Sequence, residues 1–211
     1  MKKAFCITLF AVIAISAAFA APEPAIVPKS SDWNLQVQFE HPRQIMVRTG
    51  RDAQLSRYWY IFLTITNNAG REVNFYSKCE LMTDSFQIIP AGKDVSPAVF
   101  EKIKKLHHRR YPFLQWLRES EPKILQGQDN TRDIAVIWPD FDAKAHQISL
   151  FVSGLSNETA VIEHPIAKRP DGRPLKVYLR KTLQLNYTVR SDVAFRSDAD
   201  LHFKGKHWVM R

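Results

Sequence analysis

The chain has 211 residues, 45% hydrophobic and 24% charged, which suffices for one domain with a real core and excludes a wholly disordered chain. Its 30 basic against 21 acidic residues give a net charge of +9, so anionic partners fit it better than cationic ones. Seven glycines, none clustered, exclude a phosphate-cradling glycine loop, and two cysteines exclude a disulfide framework.

The first twenty residues, MKKAFCITLFAVIAISAAFA, read as a signal peptide. Lys2 and Lys3 form the positive start, Ala4 to Ala18 the apolar stretch, and Ala18-Phe19-Ala20 the small-x-small cleavage site. The apolar run is too short for a membrane anchor and has no basic flank behind it, so no transmembrane segment is expected after cleavage. Cys6 lacks a lipidation context. The protein is therefore expected to be exported, to the periplasm or the extracellular space, with the charge reduced to +7 by loss of the two lysines. Residues 21–31, APEPAIVPKSS, read as an extended tail.

Trp33, Leu35, Val37 and Phe39 then alternate with polar residues, which predicts a strand. His41-Pro42 interrupts it and QIMV resumes it. In RYWYIFLTITNNAGREVNFYSKC, Trp59, Ile61, Leu63 and Ile65 fall on one face and Tyr58, Tyr60 and Phe62 on the other, so both faces should be partly covered. Asn67-Asn68-Ala69-Gly70 supplies turn chemistry, and Val73 and Phe75 restart the alternation, so a β-hairpin is expected. Cys79 reads as a small buried residue at a strand end, with no neighbour that would make it a nucleophile.

SPAVFEKIKKLHHRRYPFLQWLRESEP departs from this pattern and predicts a helix. Ser96 is its N-cap, Pro97 its first residue, and Val99, Phe100, Ile103 and Leu106 its apolar stripe. Glu101 and Lys105 are spaced to pair. Pro112 ends it, and a short second turn is expected over Phe113–Arg118. Two more strands follow at Ile134–Trp138 and Gln147–Val152. Leu175, Val177, Leu179, Leu183, Leu185, Tyr187 and Val189 share the face of a last segment that would span roughly 50 Å as one strand. Lys181 breaks that row, and a bulge or bend is expected there. The expected fold is all-β: a single antiparallel β-sandwich over residues 32–211 with a helical insert at about 97–118.

The stretch YWYIFLTITNNAGREVNF resembles the early hairpin of bacterial immunoglobulin-like domains, which open on a Tyr/Trp-rich strand and a TNNxG turn. WPDFDAKAHQISLFVSGLSNE resembles a later corner of such domains, with His146 standing where that corner usually carries Tyr. The chain as a whole is similar to small exported bacterial immunoglobulin-like β-sandwich proteins of uncharacterised function. The resemblance implies a fold and an exported location. It carries no catalytic residues.

The candidate chemistry lies mostly in KKLHHRRYPFLQW. Adjacent residues on a helix point about 100° apart, so His107 and His108 cannot share a metal ion. His107 should sit at the edge of the apolar stripe and His108 in solvent. GLSNE lacks the second glycine of a nucleophile elbow, so Ser156 reads as a turn residue. The pairs Asp140/Asp142 and Asp198/Asp200 lack the further acids and glycine of a calcium loop. Asn157 and Asn186 match the glycosylation pattern, which matters only in a eukaryotic secretory route.

The basic residues remain. Lys104, Lys105, His108, Arg109 and Arg110 are the candidate ligand-binding residues, an anionic-ligand patch beside Tyr111, Phe113 and Trp116. The same residues also read as the solvated side of the helix. A second basic group comprises Lys168, Arg169, Arg173, Lys176, Arg180 and Arg190. No catalytic residue, metal or cofactor is expected.

The favoured function is an exported, non-enzymatic binding or scaffolding module of the bacterial envelope. Its partner would be an anionic envelope polymer or another envelope protein, and export argues against nucleic acid. The alternatives are a hydrolase whose site gathers distant acids such as Asp140, Asp142 and Glu158, and an envelope protein that self-associates through strand edges. N-terminal sequencing of exported material should give Ala21 as the first residue; Met1 retained in a membrane fraction would refute export with cleavage.

Overall fold

A computed structural model describes residues 33–49, 54–190 and 200–211; the expected signal peptide and tail lie outside them. The described residues form thirteen strands and one helix. One sheet holds β1 (Leu35–Phe39), β2 (Arg43–Thr49), β3 (Gln54–Asn67), β7 (Gln115–Trp116) and β9 (Gly127–Pro139). The other holds β5 (Cys79–Thr83), β6 (Ile88–Pro90), β10 (Gln147–Ser153), β11 (Thr159–Lys168), β12 (Pro174–Arg190) and β13 (Asp200–Met210). Both are antiparallel apart from the short β7–β9 pairing. They pack face to face as an all-β sandwich.

The break at His41-Pro42 has the expected effect: β1 pairs with residues 63–67 of β3 and β2 with residues 54–60, so the two lie end to end along one edge. The alternation in β3 directs Trp59, Ile61, Leu63 and Ile65 into the core between the sheets. There they meet Leu81, Ile148, Leu150, Val152, Leu183, Leu185 and Tyr187, all buried. Tyr58, Tyr60 and Phe62 point the other way into a second core. That core is closed by α1 (Pro97–His107), through Val99, Phe100 and Ile103, and by Tyr111, Leu114 and Trp116 after it.

Several expectations need correction. The segment after the Asn67–Gly70 turn does not fold back as a hairpin: β4 (Val73–Asn74) pairs with β8 (Lys123–Ile124) instead of β3. Asn67 itself is buried, donating to the carbonyls of Arg71 (2.8 Å) and Ile124 (3.0 Å) and accepting from the Ala69 N–H (2.9 Å). The turn residue thus ties the β4–β8 pair to the sandwich. Phe113–Arg118 forms no helical turn, because Gln115 and Trp116 run beside Ile134 and Ala135 of β9. Ser96 stands at the N-cap with extended backbone, and Pro97 opens the helix, but the Ser96 hydroxyl makes no capping bond. No Glu101–Lys105 ion pair forms among the described residues.

Nor does β12 carry a bulge at Lys181, where its pairings show no register shift. It runs unbroken for 17 residues, and the change at Lys181 is one of partner. β10 pairs with residues 182–188 and β11 with residues 174–180. Lys181 reaches Glu158 between them at 2.6 Å and lies 5.5 Å from the Trp208 ring centre. β13 covers the opposite edge only from residue 181 onward.

Leu106 departs from its stripe: it is 65% exposed, whereas Val99 and Ile103 are 0% exposed. Replacing Ile103 with Ala should cost roughly 2–5 kcal/mol through the lost contacts and the cavity left behind. Leu106→Ala should change urea-unfolding stability by less than about 1 kcal/mol, because its side chain is already in water. Equal losses for the two variants would contradict this placement.

Candidate functional site

The last turn of α1 lies over β2, the edge strand of its sheet, so that apolar side chains reach past the layer beneath them. An open groove of about 600 Å³ results, lined by Ile45, Lys102, Lys105, Leu106, His108 and Arg109. Leu106 and Ile45 supply its apolar surface. Lys102 donates to the Met46 carbonyl at 2.8 Å, satisfying a backbone acceptor of the edge strand. The His108 Nδ1–H donates to the Lys105 carbonyl at 3.1 Å. Lys105 and Arg109 have no carboxylate partner among the described residues. The groove therefore offers unneutralised cations beside an apolar surface.

The five residues of the expected patch divide here. Lys105, His108 and Arg109 line the groove. Lys104 is half-buried, its ammonium 5.8 Å from the Phe100 ring centre, and borders a separate opening with Glu119 and Glu121. Arg110 is paired with Glu40 at 2.6 Å and lies over the Tyr111 ring. Of the neighbouring aromatics, Tyr111 and Trp116 are buried and Phe113 is exposed. Ile45 and Leu106 were not identifiable as site residues in the sequence. The only signal was an apolar residue on an interrupted edge segment facing the last turn of an amphipathic helix.

Glu40, in the break between β1 and β2, organises the groove's neighbourhood. Its Oε1 accepts from the Tyr111 hydroxyl at 2.6 Å as well as from Arg110, and its Oε2 pairs with Arg43 at 3.0 Å. Burial first, then the bond to Glu40, push the Tyr111 hydroxyl up to about 12. His107 takes the edge position expected of it. Its Nε2 stands 2.9 Å from the Tyr60 hydroxyl, and its ring packs edge-on against Phe62. Burial lowers the His107 pKa, with the Arg43 charge acting the same way. Burial raises that of Tyr60. Both shifts favour a neutral imidazole hydrogen-bonded to a neutral Tyr60 hydroxyl.

The acids considered for a hydrolytic site do not converge. Asp140 accepts from the Trp59 Nε1–H at 2.7 Å and pairs with Arg57 at 3.3 Å. Asp142 accepts from the Lys144 N–H at 2.9 Å. Both precede β10, whereas Glu158 follows it and is held by Lys181. A seven-residue strand separates the two ends by about 20 Å.

Ser156 is a turn residue, buried, its Oγ accepting from the Glu158 N–H at 3.1 Å. Gly154 is required by its φ of +88° and by contact, since a Cβ there would stand 2.7 Å from the Tyr76 carbonyl oxygen. Cys79 opens β5 as a buried thiol whose pKa is pushed up to about 12, chiefly by burial. Among the described residues, no group of three or more His, Cys, Asp or Glu side chains is placed to hold a metal ion. No described helix is long and apolar enough to cross a membrane.

No family model, curated protein or solved structure matches this chain.

The lowered His107 pKa has a definite sign. The folded state prefers the neutral ring, so this contribution to stability is complete above the ordinary value of 6.5 and is lost as pH falls through the lower folded value. NMR titration should place His107 below 6.5. His107→Gln should reduce the acid-side loss of stability; an unchanged pH profile would refute the assignment.

Proposed function

We propose that this chain is an exported, non-enzymatic binding or scaffolding module of the bacterial envelope, an immunoglobulin-like sandwich whose groove between α1 and β2 takes a segment of an anionic envelope polymer. The observation that carries this reading is the combination of unpaired cations, Lys105 and Arg109, with exposed Leu106 in one groove. Leu106, 65% exposed, together with Ile45 gives the groove an apolar surface beside these charges. The tied and separated acids Asp140, Asp142 and Glu158 favour binding over hydrolysis. Edge-to-edge self-association has less support, because Lys102 occupies an acceptor of β2, and β13 carries a register shift and five charged or imidazole side chains, Asp200, His202, Lys204, Lys206 and His207.

Charge attraction at such an open site is screened beyond about 8 Å at physiological ionic strength, so affinity should fall steeply as salt is added. With a lipid-free anionic polysaccharide as probe, Lys105→Glu combined with Arg109→Glu should weaken binding at low salt by at least about tenfold. The melting temperature should stay nearly constant, since exposed charges contribute about 0–1 kcal/mol. Lys104→Glu, outside the groove, should change affinity much less. Retention of full affinity by the double variant at every salt concentration would sink the proposal.

A further inference from the structure

We propose that the β11–β12 hairpin is a membrane-surface arm that docks on an anionic lipid bilayer through Ile166, Tyr178 and the basic residues of its tip. The inference is independent of the groove. Below residue 180, which still exchanges two backbone bonds with Arg211, β12 has β11 as its sole strand partner among the described residues. Residues 174–178 and the strand opposite them thus leave the sandwich as a two-stranded ribbon about 15 Å long, Ala160 at its base being fully buried. A ribbon of two strands is marginal in water without a surface against it.

The ribbon displays apolar side chains that none of the described residues covers. Ile166 is 83% exposed, Tyr178 65% and Leu175 40%. Ile166 is held outward by a built local structure. The register slips between Glu163 and Lys168, and the His164 Nδ1 accepts from the N–H groups of Ile166 (3.2 Å) and Ala167 (2.9 Å). The tip is ordered too: the Arg169 N–H donates to the Arg173 carbonyl at 2.8 Å, and Gly172, at φ +80°, donates back to Arg169 at 2.9 Å.

Charge selects the occupant. Residues 159–180 carry five basic side chains, Lys168, Arg169, Arg173, Lys176 and Arg180, against two acidic ones, Glu163 and Asp171. Asp171 lies 3.8 Å from Arg173, and Glu163 is opposite Lys176, which leaves Lys168 and Arg169 with no ion pair among the described residues. A soluble polyanion would satisfy the cations and leave Ile166 and Tyr178 in water. An anionic bilayer takes both: headgroups attract the lysine and arginine side chains, the acyl boundary accepts isoleucine, and tyrosine is at home at the headgroup level.

The test is flotation of the full chain with vesicles of phosphatidylcholine alone and of phosphatidylcholine mixed with phosphatidylglycerol. Binding is expected to the mixed vesicles only, and to fall as salt rises. Lys168→Glu combined with Arg169→Glu should reduce it by at least about tenfold. Ile166→Asp should reduce it severalfold with the melting temperature unchanged. Lys105→Glu with Arg109→Glu in the groove should leave it intact. No binding to the mixed vesicles, or equal binding to both kinds, overturns the proposal. So does loss through the groove variant alone. If the charge reversals abolish binding while Ile166→Asp is without effect, the arm is a site for a polyanion and the bilayer assignment is wrong.

Discussion

β3 buries both of its faces, and the rest of the fold follows from that. A strand carrying Trp59, Ile61, Leu63 and Ile65 on one side and Tyr58, Tyr60 and Phe62 on the other cannot lie on the outside of a two-layer sandwich. Each such side chain is worth about 1.5–3 kcal/mol when removed from water, so a third layer is strongly favoured. α1 supplies it with Val99, Phe100 and Ile103. Beyond β3 on that edge lie β1 and β2, end to end, and β2 is the margin beneath α1, so the final helical turn runs past the region it can cover. The exposed Leu106 and the groove beside it result from a short helix crossing the margin of a sheet.

The sequence made alternation, and hence the strands, readable; it did not disclose which strands pair. Val73 and Phe75 alternate as a hairpin arm would, yet β4 turns to β8 because Asn67 bonds Ile124 across 57 positions. The helix was legible from its stripe, its N-cap position and Pro97. Leu106 was misjudged because helical phase tells which residues share a face and carries no information on how far the underlying sheet extends. The candidate site shows the same division. Residue types announced a basic patch, but neutralisation depends on distant carboxylates: Glu40 takes Arg110 from 70 positions away.

That pairing also explains why the groove keeps the cations it does. Glu40 is largely shielded from water, with 17% of its side chain exposed, and a carboxylate so placed needs several donors. Arg43, Arg110 and Tyr111 provide them, and in doing so pin the end of the insert to the break between β1 and β2. Burial first, then the charges of Arg43 and Arg110 against that of Glu40, hold down the pKa of His107, which lies inside the same cluster. Positive charge near the helix C-terminus is favoured by the backbone dipoles, and with Arg110 engaged, His108 and Arg109 are the residues left there to face the groove.

β12 repeats the geometry of β3 with a different outcome. Each long strand bears two successive partners on one edge, β1 and β2 in the first case, β10 and β11 in the second. Both partners of β3 remain within the sandwich. On β12 the inward row Leu183, Leu185, Tyr187 and Val189 is buried, whereas Val177 and Leu179 are only half-buried. Lys181 stands between, its side chain 25% exposed and paired with a Glu158 that is 17% exposed. Partial desolvation of both charges is unfavourable, and the pair offsets it only through close contact and the Trp208 ring beside it. A lysine in an apolar row thus marks the margin of the inter-sheet core and not a bulge in the strand. Beyond that margin the chain continues to place Leu175, Tyr178 and Ile166 where none of the described residues buries them. The five basic residues around them are what makes the surface proposed to cover them an anionic one.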